Sequence, residues 1–427
     1  MSSRSSGSGP LSVDVIADES ALATLRPEWE RLWRGDTTAD LFGSFDWVAN
    51  LYEHFGTATS HACLVVSVAA TQEPITGAGW SLRIFVVRDS GGAAVAIVPL
   101  VQVIGSFRRR RRRLLSTPVN AHAPRSGIVA LRFDPEVAAS LALALHERRD
   151  WDVLLLQGLP TADGRAALLA TALSRRGWPA LQETTAPSAY LRYGGSFEDH
   201  MAGAERGHFR RSIVKSTNGL QKIGALRVHC YRAGVDEVGE GIEMFMRVDA
   251  QSWKARSGES VAQSPALRAY YADLAGRLAA AGRVEVWVLF VGETPAAAFI
   301  CPHDGRARYT LKSSFTEGFN ANRSPSLVLL NSIVQQTWGT DTRGIDFVGK
   351  VAFLDRWATE DLSFRGEVFF RSRLAHRHLQ ASDLVLQTLA RARSLATRVA
   401  RRLVGGSAQV SPAVIAACGK ADTLTEG

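Results

Sequence analysis

The sequence has few of the residues from which metal sites, disulfide frameworks and membrane spans are built. Its four cysteines are scattered, without CxxC spacing and without a histidine cluster, so we expect no metal and a reducing, cytoplasmic compartment. No apolar run reaches the roughly 18 residues that a spanning helix needs. Residues 1–10 are rich in serine and glycine and lack the apolar core of a signal peptide, so we expect them to be disordered.

Lysine is scarce, since only six of the 50 basic residues are lysine. Two arginine-rich stretches, Arg108–Arg113 and Arg371–Val404, carry net charges of +6 and +7, whereas the whole chain carries +9. The remainder is therefore slightly acidic. A nucleic-acid-binding protein would spread basic residues over one face of a folded domain. We expect no nucleic-acid partner, and we interpret Arg108–Arg113 as an exposed turn or edge.

The sequence does contain one pattern twice. Its 427 residues are 46% hydrophobic, which is enough for two domains with cores. Leu82–Val103 consists of two apolar runs around a Ser-Gly-Gly turn and predicts a β-hairpin. Val284–His303 repeats that pattern, and Asp304–Gly305, typical of a type I′ turn, leads into a third strand at Arg306–Ser313. The repeat predicts two domains of similar architecture.

Helical periodicity flanks both hairpins and predicts an α+β fold. Between the two halves, Phe197–Ile223 carries five arginines and lysines and predicts one basic helix, whose ordinary interpretation is a solvated face. The other predicted elements are helices at Val137–Arg149, Arg165–Gly177, Leu267–Ala281 and Ser326–Trp338, and strands at Asp152–Leu156 and Gly344–Val348.

The segment Tyr309–Leu330 carries the clearest chemical pattern. Ser324 suits the N-cap of a helix and Pro325 its first turn. The free N–H groups at the start of that helix, beside Arg323, would form a site for phosphate or pyrophosphate. Every helix has such a start and most bind only water, so the pattern alone does not define a ligand.

The order of elements resembles the GNAT acyltransferase fold. Residues 311–326 (LKSSFTEGFNANRSPS) are similar to a motif of the GNAT-like domain associated with cellulose and exopolysaccharide biosynthesis. Asp249–Gly258 (DAQSWKARSG) and Gly344–Trp357 (GIDFVGKVAFLDRW) are similar to two further stretches of that domain. The resemblance covers about residues 195–370 closely and the first half in outline. Tandem domains of this kind are also similar to the Fem peptidoglycan transferases, which fits the internal repeat.

The resemblance implies two GNAT-like domains, each a mostly antiparallel twisted sheet flanked by helices. It also implies an acyl-CoA-dependent N-acyltransferase. The acyl group would pass from acetyl-CoA or another acyl-CoA to an amine of a small molecule or of a lipid-linked envelope or polysaccharide precursor. We predict a GNAT-like domain at residues 11–195, an acyltransferase domain at 196–370, a basic amphipathic helix at 371–404 and a disordered tail at 405–427.

In the fold that the resemblance implies, the thioester lies in a splay between the fourth and fifth strands, here Arg306–Ser313 and Gly344–Val348. Lys312 matches the family motif directly, and we expect it to serve the acceptor or the oxyanion of the transition state. On this basis the site residues are catalytic Lys312, Tyr309 and Asp346, cofactor-binding Ser314, Arg323, Ser324, Ser326 and Leu327, and acceptor-binding Asp249, Trp253, Lys254, Phe353 and Arg356.

Five of these residues also have a structural interpretation, and Ser314 would simply end its strand. Tyr309 would be a half-buried strand aromatic, Asp346 a structural cap or ion-pair partner, and Trp253 a core residue. Lys312 would form a salt bridge with Asp346 or Glu317.

Two functional alternatives stay open. The likeness to Fem enzymes implies a donor of a different class, an aminoacyl-tRNA. The sequence also departs from the GNAT-like motif at Phe315, Thr316, Ser326 and Leu354, which would fit a catalytically degenerate scaffold in polysaccharide biosynthesis. Binding of coenzyme A would separate the two transferase interpretations, acyl-CoA-dependent and aminoacyl-tRNA-dependent, from the scaffold.

The range 371–404 combines eight arginines with regularly spaced leucine and valine residues. A basic amphipathic helix of this kind would lie on the anionic inner face of a membrane or dock on a partner. A helix packed back on its own domain explains the same pattern, because further leucines widen the apolar stripe.

Overall fold

Two antiparallel hairpins organise the chain, and each belongs to a larger sheet. The computed structural model describes residues 9–56, 64–68, 71–107, 110–183, 185–203, 206–319, 323–340 and 342–373. Residues 1–8 of the predicted disordered N-terminus, the predicted tail at 405–427 and nearly all of the predicted helix at 371–404 lie outside these residues. The described residues as far as Arg371 make up one unit.

The strands are numbered along the chain. They are β1 Ser12–Ile16, β2 Leu64–Val68, β3 Thr71–Arg88, β4 Ala94–Phe107, β5 Arg110–Ser116, β6 Val129–Ala130, β7 Val153–Pro160, β8 Ala180–Glu183, β9 Ser188–Arg192, β10 Leu226–Tyr231, β11 Val284–Val291, β12 Thr294–Pro302, β13 Arg308–Tyr309, β14 Lys312–Phe315, β15 Gly344–Asp346, β16 Glu360–Leu362 and β17 Phe364–Phe370.

The helices are numbered in the same way. They are α1 Glu19–Gly35, α2 Phe45–Phe55, α3 Pro135–Glu147, α4 Arg165–Arg175, α5 Phe197–Ala202, α6 Gly207–Gln221, α7 Gly234–Ala250, α8 Trp253–Ser257, α9 Pro265–Ala280, α10 Pro325–Thr337 and α11 Ala352–Asp355. Among the described residues, no helix combines the length and the apolar composition that crossing a membrane requires.

The strands form three sheets, and most of their pairings are antiparallel. The first sheet has the order β1-β3-β4-β5-β7-β17-β8, with β2 beside β3 and β6 beside β4. The second sheet is β10-β11-β12-β14, and the third is β13-β15-β9-β16. Both predicted hairpins are present, as β3–β4 and β11–β12. The structure therefore confirms the α+β class with mostly antiparallel sheets flanked by helices.

The two halves of the chain exchange one strand each. β17, which follows the second half in sequence, lies between β7 and β8 of the first sheet, and its Phe369 packs in the core of the first half. β9 precedes the predicted boundary at residues 195/196 but pairs with β15 and β16, and its Leu191 packs in the core of the second half. Each half thus completes a sheet of the other, and the boundary itself stays a prediction.

Three local expectations are corrected or refined. The predicted basic helix Phe197–Ile223 consists of two helices, because a capping box at Ser196 starts α5 and Gly203 ends it. The turn at Asp304–Gly305 is not of type I′, which needs two residues with positive φ, since only Gly305 has one (φ 82°). Residues 110–113 pair with β4, and β7 joins only from Leu114 onward, so this part of the arginine run is an edge, as predicted.

Candidate functional site

The third strand of the second meander divides at Thr310, and this division opens a gap in the sheet. Residues 308–309, which form β13, pair in parallel with β15, and the Thr310 N–H donates to the Asp346 carbonyl at 3.0 Å. The next N–H, of Leu311, donates to the Ile300 carbonyl of β12, also at 3.0 Å. From there β14 follows β12. The two strands expected to splay, at 306–313 and 344–348, therefore do separate, one residue after they pair.

The chain after β15 turns away from β14 through a strained residue. Val348 has φ 55°, a left-handed conformation that is rare for a β-branched side chain and costs about 1–3 kcal/mol. Its N–H donates to Asp346 Oδ1 at 2.8 Å, which holds the turn. The Thr316 N–H donates to the Ala296 carbonyl of β12 at 2.9 Å, and the N–H groups of a strand alternate in direction, so those of Ser314 and Lys312 also face β12. Those of Ser313 and Phe315 face the opposite side, toward the gap, where the Ser313 carbonyl accepts from Lys254 Nζ. Two backbone donors thus line the gap.

Five of the sequence-predicted residues meet on one side of β14. Ser314 Oγ donates to Oδ1 of the buried Asp249 in α7 at 2.7 Å, and Lys254 Nζ in α8 donates to the Ser313 carbonyl at 2.5 Å. Lys312 lies on the same strand, and Trp253, adjacent to Lys254, is 42% exposed and not a core residue. The structure thus brings together Lys312, Ser314, Asp249, Trp253 and Lys254.

The Lys312 ammonium lies in an unfavourable environment. Burial, and next the nearby positive charge of Lys254, lower the pKa of Lys312 to about 8. Its Nζ is 5.8 Å from the centroid of the Tyr271 ring, at the outer limit of a cation–π contact. Neither Asp346 nor Glu317 forms the salt bridge with Lys312 that its structural interpretation required, as far as the described residues extend. Burial also lowers the pKa of Lys254.

Tyr309 and Asp346 lie instead at the buried junction between the two halves. The Tyr309 hydroxyl donates to Asp304 Oδ2 at 2.5 Å, and its ring packs edge to face on Phe42, with the centroids 5.5 Å apart. Burial raises the pKa of Tyr309 well above its usual value. Asp346 forms a two-pronged ion pair with the buried Arg125 guanidinium. These contacts occupy both polar groups, and the side chains do not join the group around Lys312.

The start of α10 has the predicted geometry. Ser324 is the N-cap and accepts a hydrogen bond from the Leu327 N–H at 3.3 Å, with Pro325 in the first turn. The Ser324 N–H in turn donates to Ser216 Oγ of α6 at 3.3 Å, so α6 lies directly beside this helix start. The Arg323 side chain crosses α6 where Gly219 leaves room, since a Cβ there would lie 3.0 Å from Arg323 Cγ. Ser326 is partly exposed in the same turn.

A basic surface pocket lies along α6. Its volume is about 380 Å³, and its described lining consists of Gly207, Arg210, Arg211, Val214 and Lys215. The apolar face of α6 is buried in the core of the second half, which leaves these basic residues exposed. Basic residues predicted at 197–223 therefore line this pocket. One of them, Lys215, directly precedes Ser216, which contacts the start of α10.

Phe353 and Arg356, the two remaining predicted residues, lie on and after α11. Phe353 is half-buried against the core of the second half, and Arg356 is exposed. The Arg356 carbonyl accepts a hydrogen bond from Arg206 at 2.6 Å. The structure shows no contact, among the described residues, that joins either side chain to the group around Lys312.

Sequence reasoning missed two residues that the site depends on. Tyr271 of α9 faces Lys312, and Arg125 of the first half fixes Asp346. Neither belongs to a motif, and Arg125 is 221 residues away from its partner. No group of three or more potential metal ligands occurs within the described part of the chain.

Comparison with known proteins gives a family match in the second half of the chain. Residues 207–361 match the family model described as the acetyltransferase (GNAT) domain, and this range holds α6, the divided strand and α10. FemX is 11% identical, with 86% of this chain and 99% of that chain covered and a TM-score of 0.56, so the two share a fold. No curated protein matches the chain.

Two further solved structures have lower scores. L-PGS from Bacillus licheniformis is 11% identical, with 84% of this chain and 93% of that chain covered and a TM-score of 0.46. A tandem GNAT protein from the clavulanic acid biosynthesis pathway is 12% identical, with 84% and 98% covered and a TM-score of 0.42. Both TM-scores are below 0.5, so these two likenesses do not establish a shared fold.

Proposed function

We propose, on the premise that this chain is a GNAT-type N-acyltransferase with a Fem-like fold, that it transfers an acyl group from an acyl-CoA to an amine. The observation that carries the proposal is the gap beside β14, lined by the N–H groups of Ser313 and Phe315. Donors fixed in a strand are preorganised, so they can stabilise the negative charge that develops on the thioester oxygen.

The start of α10 would hold the other end of the donor. The N–H group of Ser326 lies in the first turn of α10, and Leu327 follows it with its own N–H held by the Ser324 cap. The start of the helix favours an anion, and Arg323 adds a positive charge beside it. The neighbouring pocket along α6 contributes Arg210, Arg211 and Lys215. A diphosphate at α10 with a further phosphate toward α6 matches the charge pattern of coenzyme A.

The acceptor amine would approach from the side of α7 and α8. Asp249, Trp253 and Lys254 lie there beside Lys312, and the exposed indole of Trp253 offers a surface for an organic acceptor. The neutral amine attacks the thioester carbon, so that a C–N bond forms, the C–S bond breaks and the thiolate takes up a proton. No protein nucleophile is needed. Phe353 and Arg356 remain predicted acceptor contacts.

We assign Tyr309 and Asp346 a positioning role in place of the catalytic one predicted from sequence. Both side chains are engaged in buried contacts, and Asp346 also holds the strained turn at Val348 that separates the strands. They would act by keeping the gap open.

Thermal denaturation in the presence of candidate donors tests the proposal. A ligand that binds only the folded state raises the melting temperature. Acetyl-CoA or a longer acyl-CoA should raise it, and addition of an amine panel should release free coenzyme A. If charged tRNA raises it and no acyl-CoA does, the donor belongs to the other class. If no donor changes it, the degenerate scaffold is supported.

An aminoacyl-tRNA donor is the second candidate, because one observation favours it. The exposed basic residues along α6 would suit an RNA backbone as well as a nucleotide, and the chain shares its fold with FemX. The two donors differ in charge, so binding of tRNA should weaken steeply with added salt, whereas binding of acyl-CoA should weaken less.

We further propose that the acceptor is an envelope or polysaccharide precursor and that the enzyme works in the cytoplasm, at the inner face of the membrane. The support is the sequence pattern of 371–404, which lies outside the described residues. Sedimentation with anionic vesicles at low and high salt tests it. The full chain should sediment at low salt, whereas a chain that ends near Arg371 should stay in the supernatant.

A further inference from the structure

Lys312 and Lys254 are two half-buried cations that form no ion pair with the described residues. No carboxylate of the described residues lies within ion-pair distance of either ammonium. Lys254 Nζ donates to the Ser313 carbonyl, which neutralises no charge. The Lys312 ammonium faces the Tyr271 ring at 5.8 Å. The pKa of Lys312 is lowered first by burial and then by the charge of Lys254, so the two charges also repel each other.

Asp249 is a buried carboxylate whose charge acts on both lysines, and other groups already occupy its oxygens. Its Oδ1 accepts from Ser314 Oγ at 2.7 Å. Its Oδ2 accepts from Ser260 Oγ at 2.7 Å and from the Ala262 N–H at 3.1 Å. Asp249 thus accepts hydrogen bonds from three neutral donors and forms no ion pair with either lysine. The exposed Glu259 is the only other carboxylate that raises the pKa of Lys312 or Lys254, and both lysines keep a lowered pKa despite it.

A folded protein rarely keeps such a pair, because desolvation of a charge without compensation is costly. A structural lysine would have an acidic partner, as Arg125 does in Asp346. An anion placed between the two ammonium groups would remove their repulsion and supply the missing partner. It would approach from the side of α8, where Trp253 is exposed.

We propose that Lys312 and Lys254 bind an anionic group, a carboxylate or a phosphate, carried by the amine that receives the acyl group. The inference rests on the proposed function, because only a transferase has an acceptor. It names the class of that acceptor as an amine that also bears a negative charge. Lysine is suited to this role, because its ammonium is a compact point charge with three donors that meets either anion without a fixed orientation.

Nuclear magnetic resonance of the full chain, labelled with ¹³C in its lysines, tests the anion site without knowledge of the acceptor. The chain has six lysines, so each Cε signal can be assigned by one Lys→Arg variant. Sodium phosphate and sodium acetate are titrated separately, each against sodium chloride of equal ionic strength. Lys350, paired with Asp361 on the surface at 2.5 Å, serves as the internal control.

We expect the Lys312 and Lys254 signals to shift saturably with phosphate, acetate or both, and the Lys350 signal to stay in place. A response to acetate alone identifies a carboxylate, and a response to phosphate alone a phosphate. The Lys312→Arg variant keeps the charge, so Lys254 should still respond in it, whereas in Lys312→Met its response should fall severalfold. No response at Lys312 or Lys254, or the same response with chloride, would overturn the site.

Acetyl-CoA binding, measured by calorimetry on the same sample, separates the two proposals. Binding of acetyl-CoA without any response of Lys312 to the anions overturns the anion site and leaves the acyltransferase in place. A response at Lys312 in a protein that does not bind acetyl-CoA supports the anion site and contradicts the acyl-CoA donor.

Discussion

Buried charge is handled in opposite ways at the junction of the two halves and at the gap beside β14. At the junction, Arg125 meets both carboxylate oxygens of Asp346, and Ser188 Oγ donates to the same carboxylate at 2.7 Å. At the gap, Lys312 and Lys254 have no acidic partner among the described residues. Paired charges hold a structure together, whereas unpaired ones lower its stability until a ligand binds. The difference distinguishes residues that hold the structure of the site from residues that contact a ligand.

The largest expected effect comes from breaking the junction. Asp346→Asn leaves the Arg125 guanidinium buried without compensation and releases the turn at Val348, so the free energy of unfolding should fall by about 3–5 kcal/mol. Urea denaturation at pH 7 measures it. The matched control is Asp361→Asn, which breaks the exposed pair with Lys350 and should cost no more than about 1 kcal/mol. Equal losses in both variants would remove the distinction.

The next largest effect is that of removing the Lys312 charge, which should lower activity without lowering the free energy of unfolding. Lys312→Met keeps most of the side-chain stem and deletes the charge, so turnover should fall roughly tenfold to a thousandfold. Because a desolvated cation is removed, the free energy of unfolding should stay the same or rise by about 1–3 kcal/mol. Lys350→Met, at an exposed lysine, is the control and should change neither quantity much. A variant that is less stable and fully active would contradict the assignment.

The pH dependence of stability sharpens the same contrast. The pKa of Lys312 is about 8 in the folded chain against 10.5 as its ordinary value, so between these values the unfolded chain binds more protons. Stability should therefore rise with pH in that window, and the penalty is complete only below pH 8. The stability advantage of Lys312→Met over the wild type should shrink as the pH rises from about 7 to 10. If this advantage grows with pH, the folded environment does not lower the pKa of Lys312, and the account is contradicted.

The smallest of these effects concerns the donor side. Arg323→Ala should weaken binding of coenzyme A by about 1–2 kcal/mol, the scale of one charge-assisted hydrogen bond. The protein should stay folded, because Arg323 only lies against Gly219 at the surface of α6. Calorimetry on this variant and on Arg132→Ala, whose ion pairs are on the surface of the first half, provides the comparison. Equal affinities would take Arg323 out of the site.

Local signals in the sequence were sufficient for the parts of the fold that depend on near neighbours. The hairpins follow from apolar runs around glycine-containing turns, and α10 follows from Ser324 and Pro325 at its start. The splay between 306–313 and 344–348 came from the family resemblance, and nothing in the residues themselves marks Thr310 as the point where the strand divides. The group around Lys312 could be assembled only because three motif stretches were recognised together.

The roles of Tyr309 and Asp346 depend on partners that no local pattern reveals. Asp346 is paired across 221 residues, and Tyr309 contacts Leu41, whose N–H approaches its hydroxyl at 3.4 Å across 268 residues. The exchange of β9 and β17 between the halves is equally non-local. Pairings that close over such distances are set by the packed core, so a sequence pattern of short range cannot distinguish a catalytic carboxylate from a structural one.

The free energy of unfolding of Lys312→Met at pH 7, measured beside the wild type in one urea series, tests the central claim most directly. The account predicts that this value is equal to or higher than that of the wild type, because the chain loses a half-buried cation that has no ion-pair partner among the described residues. A loss of about 3 kcal/mol or more, the size expected for a broken buried ion pair, would contradict it. Lys312 would then belong to the structure, as Asp346 does.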